Sequence, residues 1–223
     1  YMQKDRQSQG SGLPYKKQSV VTRASYGYDN RYMLEGSFGL TGSENFAKGY
    51  RYGIFPSVGV AWYISNESFM KRIEDTINKL KFRLSYGLTG NDNIGDTRFP
   101  YRGTINTGAS GYNLGFNVGA GGGGANNPGS GIIEGTFAAP YLSWEIEEKK
   151  NIGLDLGLLR GRIDMSVDFF KNDRKDILIQ RKTISAATGF QQAPFQNFGK
   201  MSNKGFDGNI VFKQNIKDRK SVV

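Results

Sequence analysis

Neither cysteine nor histidine occurs among the 223 residues. Without cysteine there is no disulfide framework and no thiolate metal site. Without histidine the commonest general base is missing, together with the Ser-His-Asp arrangement and most zinc sites. Carboxylates are sparse too: 20 Asp and Glu stand against 30 Lys and Arg, a formal net charge of +10. Most of them fall in alternating strand positions or turns, and no acid/base pair stands out, so neither enzymatic activity nor a cofactor is expected. Long apolar runs are also lacking. No stretch approaches the roughly 20 apolar residues of a membrane helix. Membrane-crossing strands stay open, because each needs only about 9–11 residues. The residues from Tyr1 onward carry no basic-then-apolar leader pattern, so no signal peptide is expected within them.

What the sequence has in quantity is glycine, 31 residues, and aromatics, 13%. Their arrangement is clearest in NIGLDLGLLRGRIDMSVDFFK, from Asn151 to Lys171. Ile152, Leu154, Leu156 and Leu158 alternate with Asn151, Gly153, Asp155 and Gly157. After an Arg160-Gly161 turn, Ile163, Met165, Val167 and Phe169 alternate with Arg162, Asp164, Ser166 and Asp168. A period of two means a strand with one apolar face, and two such strands about a tight turn make a hairpin. Carboxylates and glycines on one face with bulky apolar groups on the other suit a barrel wall with lipid outside and a polar lumen inside.

The same alternation predicts strands over Ser19–Tyr28, Arg31–Thr41, Tyr52–Ile64, Leu80–Thr89, Ser143–Leu159, Arg162–Asn172 and Met201–Gln214, with Asp176–Gln180 as an extension and Ser221–Val223 as the start of one more. Tyr1–Lys17 reads as loop, Pro56 as an edge, bulge or strand start, and Ser65–Lys79 as a turn with a short helical piece. Short connections at Asp29-Asn30, Ser65–Lys79, Arg160-Gly161 and Ile216–Arg219 alternate with longer ones at Gly42–Arg51, Gly90–Leu142 and Gln180–Phe198. In an up-and-down barrel this gathers short turns at one rim and long loops at the other, the pattern of outer-membrane barrels with periplasmic turns and extracellular loops. Tyr26, Tyr28, Tyr32 and Trp62 fall near short-turn strand ends, where an interfacial girdle lies. The expected fold is therefore all-β: an antiparallel up-and-down transmembrane β-barrel segment of about seven or eight strands.

Four other signals weigh less. Gly119, Gly121 and Gly124 match G-x-G-x-x-G, but in a low-complexity loop without the strand–helix context that binds phosphate. Asp92 and Asp96, with Asn91 and Asn93, offer oxygen ligands for calcium, yet without EF-hand spacing and within ordinary turn chemistry, so no metal is assigned. Asn66-Glu67-Ser68 matches a glycosylation acceptor, an accidental match if these strands form an outer-membrane barrel. The basic excess gathers at the short-turn rim (Arg31, Lys71, Arg72, Lys79, Arg160 and Arg162 among others) and reads as a solvated rim rather than a nucleic-acid groove, which would place aromatics and cations on one face.

Several segments then carry a family resemblance: YDNRYMLEGSF (Tyr28–Phe38), RYGIFPSVGVAWYISNESFM (Arg51–Met70), LKFRLSYGLTGNDNIG (Leu80–Gly95), LSWEIEEKKNIGLDLGLLRGRIDMSVDFFKNDRKDIL (Leu142–Leu178) and NFGKMSNKGFDGNI (Asn197–Ile210). In this order they resemble barrel segments of the SusC/RagA family of TonB-dependent outer-membrane transporters of Bacteroidetes. The resemblance implies a barrel of about 22 strands occluded by a plug, import of oligosaccharides or peptides powered through TonB, and a SusD-like surface lipoprotein as lid. It implies an outer-membrane location, with long loops extracellular and short turns periplasmic. The 223 residues hold no plug, TonB box or carboxypeptidase-like domain, so the chain is expected to be an internal piece of a longer transporter. Its partners would be the rest of the barrel and plug, TonB through a region outside these residues, the lid lipoprotein and outer-membrane lipid, with no nucleic acid. Tyr101, Tyr112, Phe116 and Phe190 are the candidate substrate or lid contacts, unless they anchor their own loops. Alternation makes Glu35, Arg83, Asp155, Asp164 and Asp168 lumen-facing. A soluble carbohydrate-binding β-sandwich and a passive porin remain as alternatives. The sandwich requires apolar strand faces that pack against each other.

Overall fold

The computed structural model describes residues 2–7, 14–93, 99–110, 130–135, 137–181, 185, 187, 193–216 and 219–222. Its main element is one antiparallel sheet of nine strands in near-sequential order: β1 (Met2–Gln7), β2 (Pro14–Tyr28), β3 (Tyr32–Ser43), β4 (Tyr52–Tyr63), β5 (Ile77–Asn91), β8 (Glu145–Leu158), β9 (Ile163–Gln180), β10 (Phe195–Ile216) and β11 (Arg219–Val222). Between β5 and β8 lies a separate hairpin, β6 (Ile105–Ser110) and β7 (Ser130–Glu134). The meander is that of a barrel wall, and among the described residues it stays open between β1 and β11.

The alternation in β2–β5 and β8–β10 sets which face each residue takes. β1 does not alternate: MQKDRQ pairs with β2 through its backbone from Met2 opposite Ser19 to Gln7 opposite Pro14. Side-chain periodicity therefore missed it, and part of Tyr1–Lys17 is strand rather than loop. The β6–β7 hairpin likewise lies inside the span expected to be loop, because its short strands are polar and Gly-bearing. The helical piece is present as two 3-10 turns, Ile64–Asn66 and Ser68–Ile73.

Turn chemistry explains the short rim. Asp29 and Asn30 both take positive φ (51° and 50°), and the Arg31 amide donates to the Tyr28 carbonyl at 3.0 Å. This is the type I′ geometry whose twist matches a hairpin, and Asp and Asn tolerate it best after Gly. In the β8–β9 hairpin the left-handed pair is Leu159-Arg160 (53° and 56°), followed by Gly161 (79°), so the turn begins one residue earlier than Arg160-Gly161. The Gly161 amide donates to the Leu158 carbonyl at 3.1 Å and to the Asn78 side chain at 3.0 Å.

Pro56 lies inside β4, opposite Phe38 of β3. On its other side, β4 pairs with β5 only from Ser57–Gly87 to Tyr63–Lys81. A residue without an N–H sits where a ladder stops, and here it stops one residue short of the proline. Beyond it β5 continues with β8 alone, to Asn91–Glu145.

The sheet has almost no core of its own. The accessible surface is 16615 Å², against about 10,000 Å² for a compact monomer of this mass. Among the described residues the one buried apolar cluster sits at the long-loop end: Phe46, Ala139, Leu142 and Trp144, with Phe55, Leu178 and Phe195 packed against it. Phe46 and Phe55 meet Trp144 with ring centroids 5.4 and 5.3 Å away, and the Trp144 indole N–H donates to the Arg51 carbonyl at 3.0 Å. Asn197 clasps the same loop, accepting from the Ser143 amide and donating to its carbonyl, both at 2.9 Å. Replacing the buried Trp144 by Ala should cost about 3–5 kcal/mol locally. Hydrogen exchange on the full-length protein should show faster exchange in residues 45–51 and 137–144, with the β8–β9 hairpin unchanged. Unaltered exchange in both loops would contradict the anchoring role.

Candidate functional site

Strand register assigns the two faces. Val20, Tyr26, Leu34, Val60, Leu84, Ile152, Phe169 and Phe206 share one face, all between 44% and 75% exposed. No described element covers them. The opposite face carries all five residues expected in the lumen: Glu35, Arg83, Asp155, Asp164 and Asp168. The apolar faces do not pack on each other as a sandwich would need.

Arg83 is the centre of the polar face. Its guanidinium Nη2 donates to Asp155 Oδ1 and Asp168 Oδ2, both at 2.9 Å, and to Ser166 Oγ at 3.2 Å. Ser166 donates to Asp155 at 2.8 Å, and the Asn151 amide donates to Asp168 at 2.9 Å. One cation between two carboxylates leaves the cluster with a net negative charge. Glycine makes the space: a Cβ on Gly153 would stand 2.5 Å from Asp168 Oδ1 and 2.8 Å from Arg83 Nη2. Arg83 Nε and Asn151 Oδ1 are buried without a described partner, donor and acceptor capacity left unused inside the cluster.

Glu35 and Asp164 lie apart from this cluster. Glu35 accepts from Arg23 at 2.6 Å, and Asp164 accepts from Lys213 at 2.6 Å near the short-turn end. From Glu35 toward the long loops the face is lined by small groups, Ser37, Ser57, Gly59 and Gly87, which form a shallow groove with Phe55 at its long-loop end.

At the long-loop end the placement is uneven. Tyr101 is half-buried, its ring 6.1 Å from Phe99 in an edge contact, with Arg102 over both rings at 5.6 Å. Tyr112, Phe116, Phe190 and Asp96 lie outside the described residues. Asp92 is buried and accepts from Lys17 Nζ at 2.8 Å. Among the described residues no group of three or more acidic, His or Cys side chains is placed to hold a metal. An apolar cleft lies between residues 137–143 and the start of β10, walled by Phe137, Pro140, Leu142, Pro194 and Phe195. Tyr141 stands 78% exposed beside it. Sequence pattern had no means of finding this cleft, since its walls are about 50 residues apart.

The short-turn rim holds a second cluster that alternation also missed. Glu67 is 8% exposed in the turn between β4 and β5. It accepts from Tyr32 OH at 2.6 Å, Trp62 Nε1 at 3.0 Å and Arg31 Nη1 at 3.1 Å. Two girdle aromatics, stacked 6.3 Å apart, thus tie their polar tips to one carboxylate. Those donors, the tyrosine and indole first, hold the Glu67 carboxyl below the usual glutamate value of 4.5.

With this geometry in place, comparison with known proteins is informative. The family model described as "TonB dependent receptor-like, beta-barrel" matches residues 5–216. The chain is 32% identical over 192 residues to TonB-dependent receptor P3 of Formosa agariphila, covering 86% of this chain and 18% of that protein. It is 32% identical over 197 residues to TonB-dependent receptor SusC of Bacteroides thetaiotaomicron, covering 87% and 18%. Among solved structures, the RagAB peptide importer in its closed-closed state superposes with a TM-score of 0.74 at 26% identity, over 92% of this chain and 20% of that one. The siderophore receptor PirA of Pseudomonas aeruginosa, at 12% identity and a TM-score of 0.52 over 89% and 31%, shares the fold alone. The chain spans less than a fifth of the length of the curated relatives it matches.

Two outcomes follow from the two clusters. Gly153→Val should split the Arg83 network and cost about 1–3 kcal/mol, whereas Gly59→Ala, whose nearest neighbour would be 3.9 Å away, should be tolerated. Thermal unfolding of the full-length protein in detergent compares the two, and equal midpoints would contradict the close packing at Gly153. Because the Glu67 carboxyl is depressed in the folded protein, its contribution is complete above about pH 4.5 and is lost as pH falls through the depressed value. The difference in unfolding midpoint between wild type and Glu67→Gln should therefore be largest near neutrality and shrink in acid. A difference that grows in acid would contradict this.

Proposed function

We propose a function from one premise: the chain belongs to the TonB dependent receptor-like β-barrel family. The chain is wall from a SusC-like importer in the outer membrane of a Gram-negative bacterium. The whole protein would take up oligosaccharides or peptides through a barrel of about 22 strands, drawing on TonB and closed by a plug. A SusD-like lipoprotein would cover the long loops, which face outward, while the short turns face the periplasm. The protein's role is transport rather than catalysis.

The observation that carries this reading is the two-faced open sheet. Its exposed apolar face needs a cover, and lipid supplies one over the whole width of a barrel wall. The opposite face is small, polar and internally paired, as suits a wet lumen. The curated relatives are TonB-dependent receptors by name and the RagAB neighbour is a peptide importer, which supports the transport reading. Within the lumen, the partly exposed Arg83 side chain, held by Asp155 and Asp168, would meet the plug or the transported solute. At the long-loop end, Tyr101 and the cleft beside Tyr141 would offer surfaces to cargo or lid, and Tyr112, Phe116 and Phe190, outside the described residues, stay candidates for the same contacts on the sequence alone.

An affinity tag inserted between residues 119 and 127 of the full-length protein tests the arrangement. Intact cells should label through the tag, and mild detergent extraction should bring a lipoprotein down with the transporter. A soluble protein that does not label would overturn the membrane reading. In the same strain, Asp155→Ala combined with Asp164→Ala should slow uptake of the cargo, and unchanged uptake would remove these two residues from the path.

A further inference from the structure

On β8, β9 and β10 the outward apolar run ends in a row of like charges. Lys150 of β8 lies directly opposite Lys171 of β9, which lies directly opposite Lys204 of β10. Directly paired residues have Cα atoms about 4.5–5.5 Å apart, and like charges so placed destabilise a sheet. All three side chains are exposed, on the same outward face as Phe169 and Phe206. Each lysine is eight residues from the last outward apolar group of its strand, Leu158, Ile163 or Phe212. Eight residues span ~26 Å of strand and ~20 Å of height at barrel tilt, which brings the row within ~5 Å of the far edge of an apolar band about 25 Å tall, a gap that a lysine stem spans.

Compensation is incomplete. Lys150 pairs with Glu148 at 2.9 Å and Lys171 with Asp173 at 3.2 Å, both one row farther toward the long loops. Glu148 is shared with Lys175 at 3.6 Å, and Asp173 also accepts from Ser202 at 2.6 Å. In β10 the position matching those acids is Ser202, and Lys204 makes no ion pair among the described residues. The belt therefore holds Lys150, Lys171, Lys175 and Lys204 against two carboxylates, a net +2. Directly beneath it Phe169 and Phe206 stand 6.3 Å apart, 58% and 75% exposed.

We propose that Lys150, Lys171 and Lys204 bind the phosphate of a membrane glycolipid in the outer leaflet, with its acyl chains against Phe169 and Phe206. The proposal rests on the reading that this face meets lipid and that the long loops face outward. An anion between the three ammonium groups removes the cost of their alignment, and lysine stems reach it along the apolar surface. A phosphorylated lipid has the needed shape: charge at the boundary and hydrocarbon directly below. Solvent anions would supply the charge but not the contact with the phenylalanines.

The test uses the full-length protein reconstituted in nanodiscs, with phosphorylated lipid A, dephosphorylated lipid A or phosphatidylglycerol as the probe lipid. Wild type should retain phosphorylated lipid A at least about tenfold better than the variant carrying Lys150→Gln, Lys171→Gln and Lys204→Gln. Lys71→Gln with Arg72→Gln, at the opposite rim, should leave retention unchanged. Equal retention by wild type and the triple variant, or of phosphorylated and dephosphorylated lipid A, would overturn the site. Equal retention of phosphatidylglycerol would overturn its outer-leaflet source. Failure to enter nanodiscs would instead overturn the membrane reading itself, so the two failures are distinct.

Discussion

A sheet one layer thick has to find cover for its apolar face outside itself, and almost every other feature of this chain follows from that constraint. In a globular domain the largest side chains vanish into the interior. Here residues such as Phe206 and Tyr26 stand 75% and 65% exposed. The hydrophobic effect that would bury them in water is replaced by contact with an apolar solvent, and the strands need only satisfy their backbone groups laterally. Among the described residues the buried apolar cluster sits at the long-loop end, around Trp144. Rigidity elsewhere has to come from the ladder and from side-chain hydrogen bonds.

The polar face illustrates the second source. An arginine mid-strand beside two aspartates is supportable because glycine opposite them gives up its side-chain volume, and because Ser166 and Asn151 complete the carboxylate bonds. The network links β5, β8 and β9 across the face, independent of the turn that joins the last two. At the short-turn rim Glu67 does the same for β3 and β4, tying the aromatics of two strands to a turn that follows them in the chain. Both devices place carboxylates where they organise cations and donors already held by the sheet.

How much of this could be read from sequence depends on whether side chains or backbone decide. The alternation in residues 151–171 announces the central hairpin and assigns Asp155, Asp164 and Asp168 to one face, because a two-residue period survives any register. Strand β1 and the β6–β7 hairpin leave no such trace, since their pairing rests on backbone groups that every residue carries. The turn at Leu159-Arg160 also escapes: a leucine at positive φ is locally unfavourable, and hairpin closure over-determines it. The Glu67 cluster and the cleft beside Tyr141 are tertiary in origin. Their residues come together only after the meander has folded, so neither spacing nor composition marks them.

Pro56 has a consequence for the continuity of the wall. Toward the short turns β4 and β5 are laced together, while toward the long loops each keeps only its other neighbour. The ring of Phe55 fills the parting, close over Gly53 and Gly90, where any larger residue would collide with it. A wall laced at one end and parted at the other leaves the two strands free to diverge at the parted end. The missing amide of one proline thus leaves a slit in the sheet at its long-loop end, filled by a single ring, with no change in the number of strands.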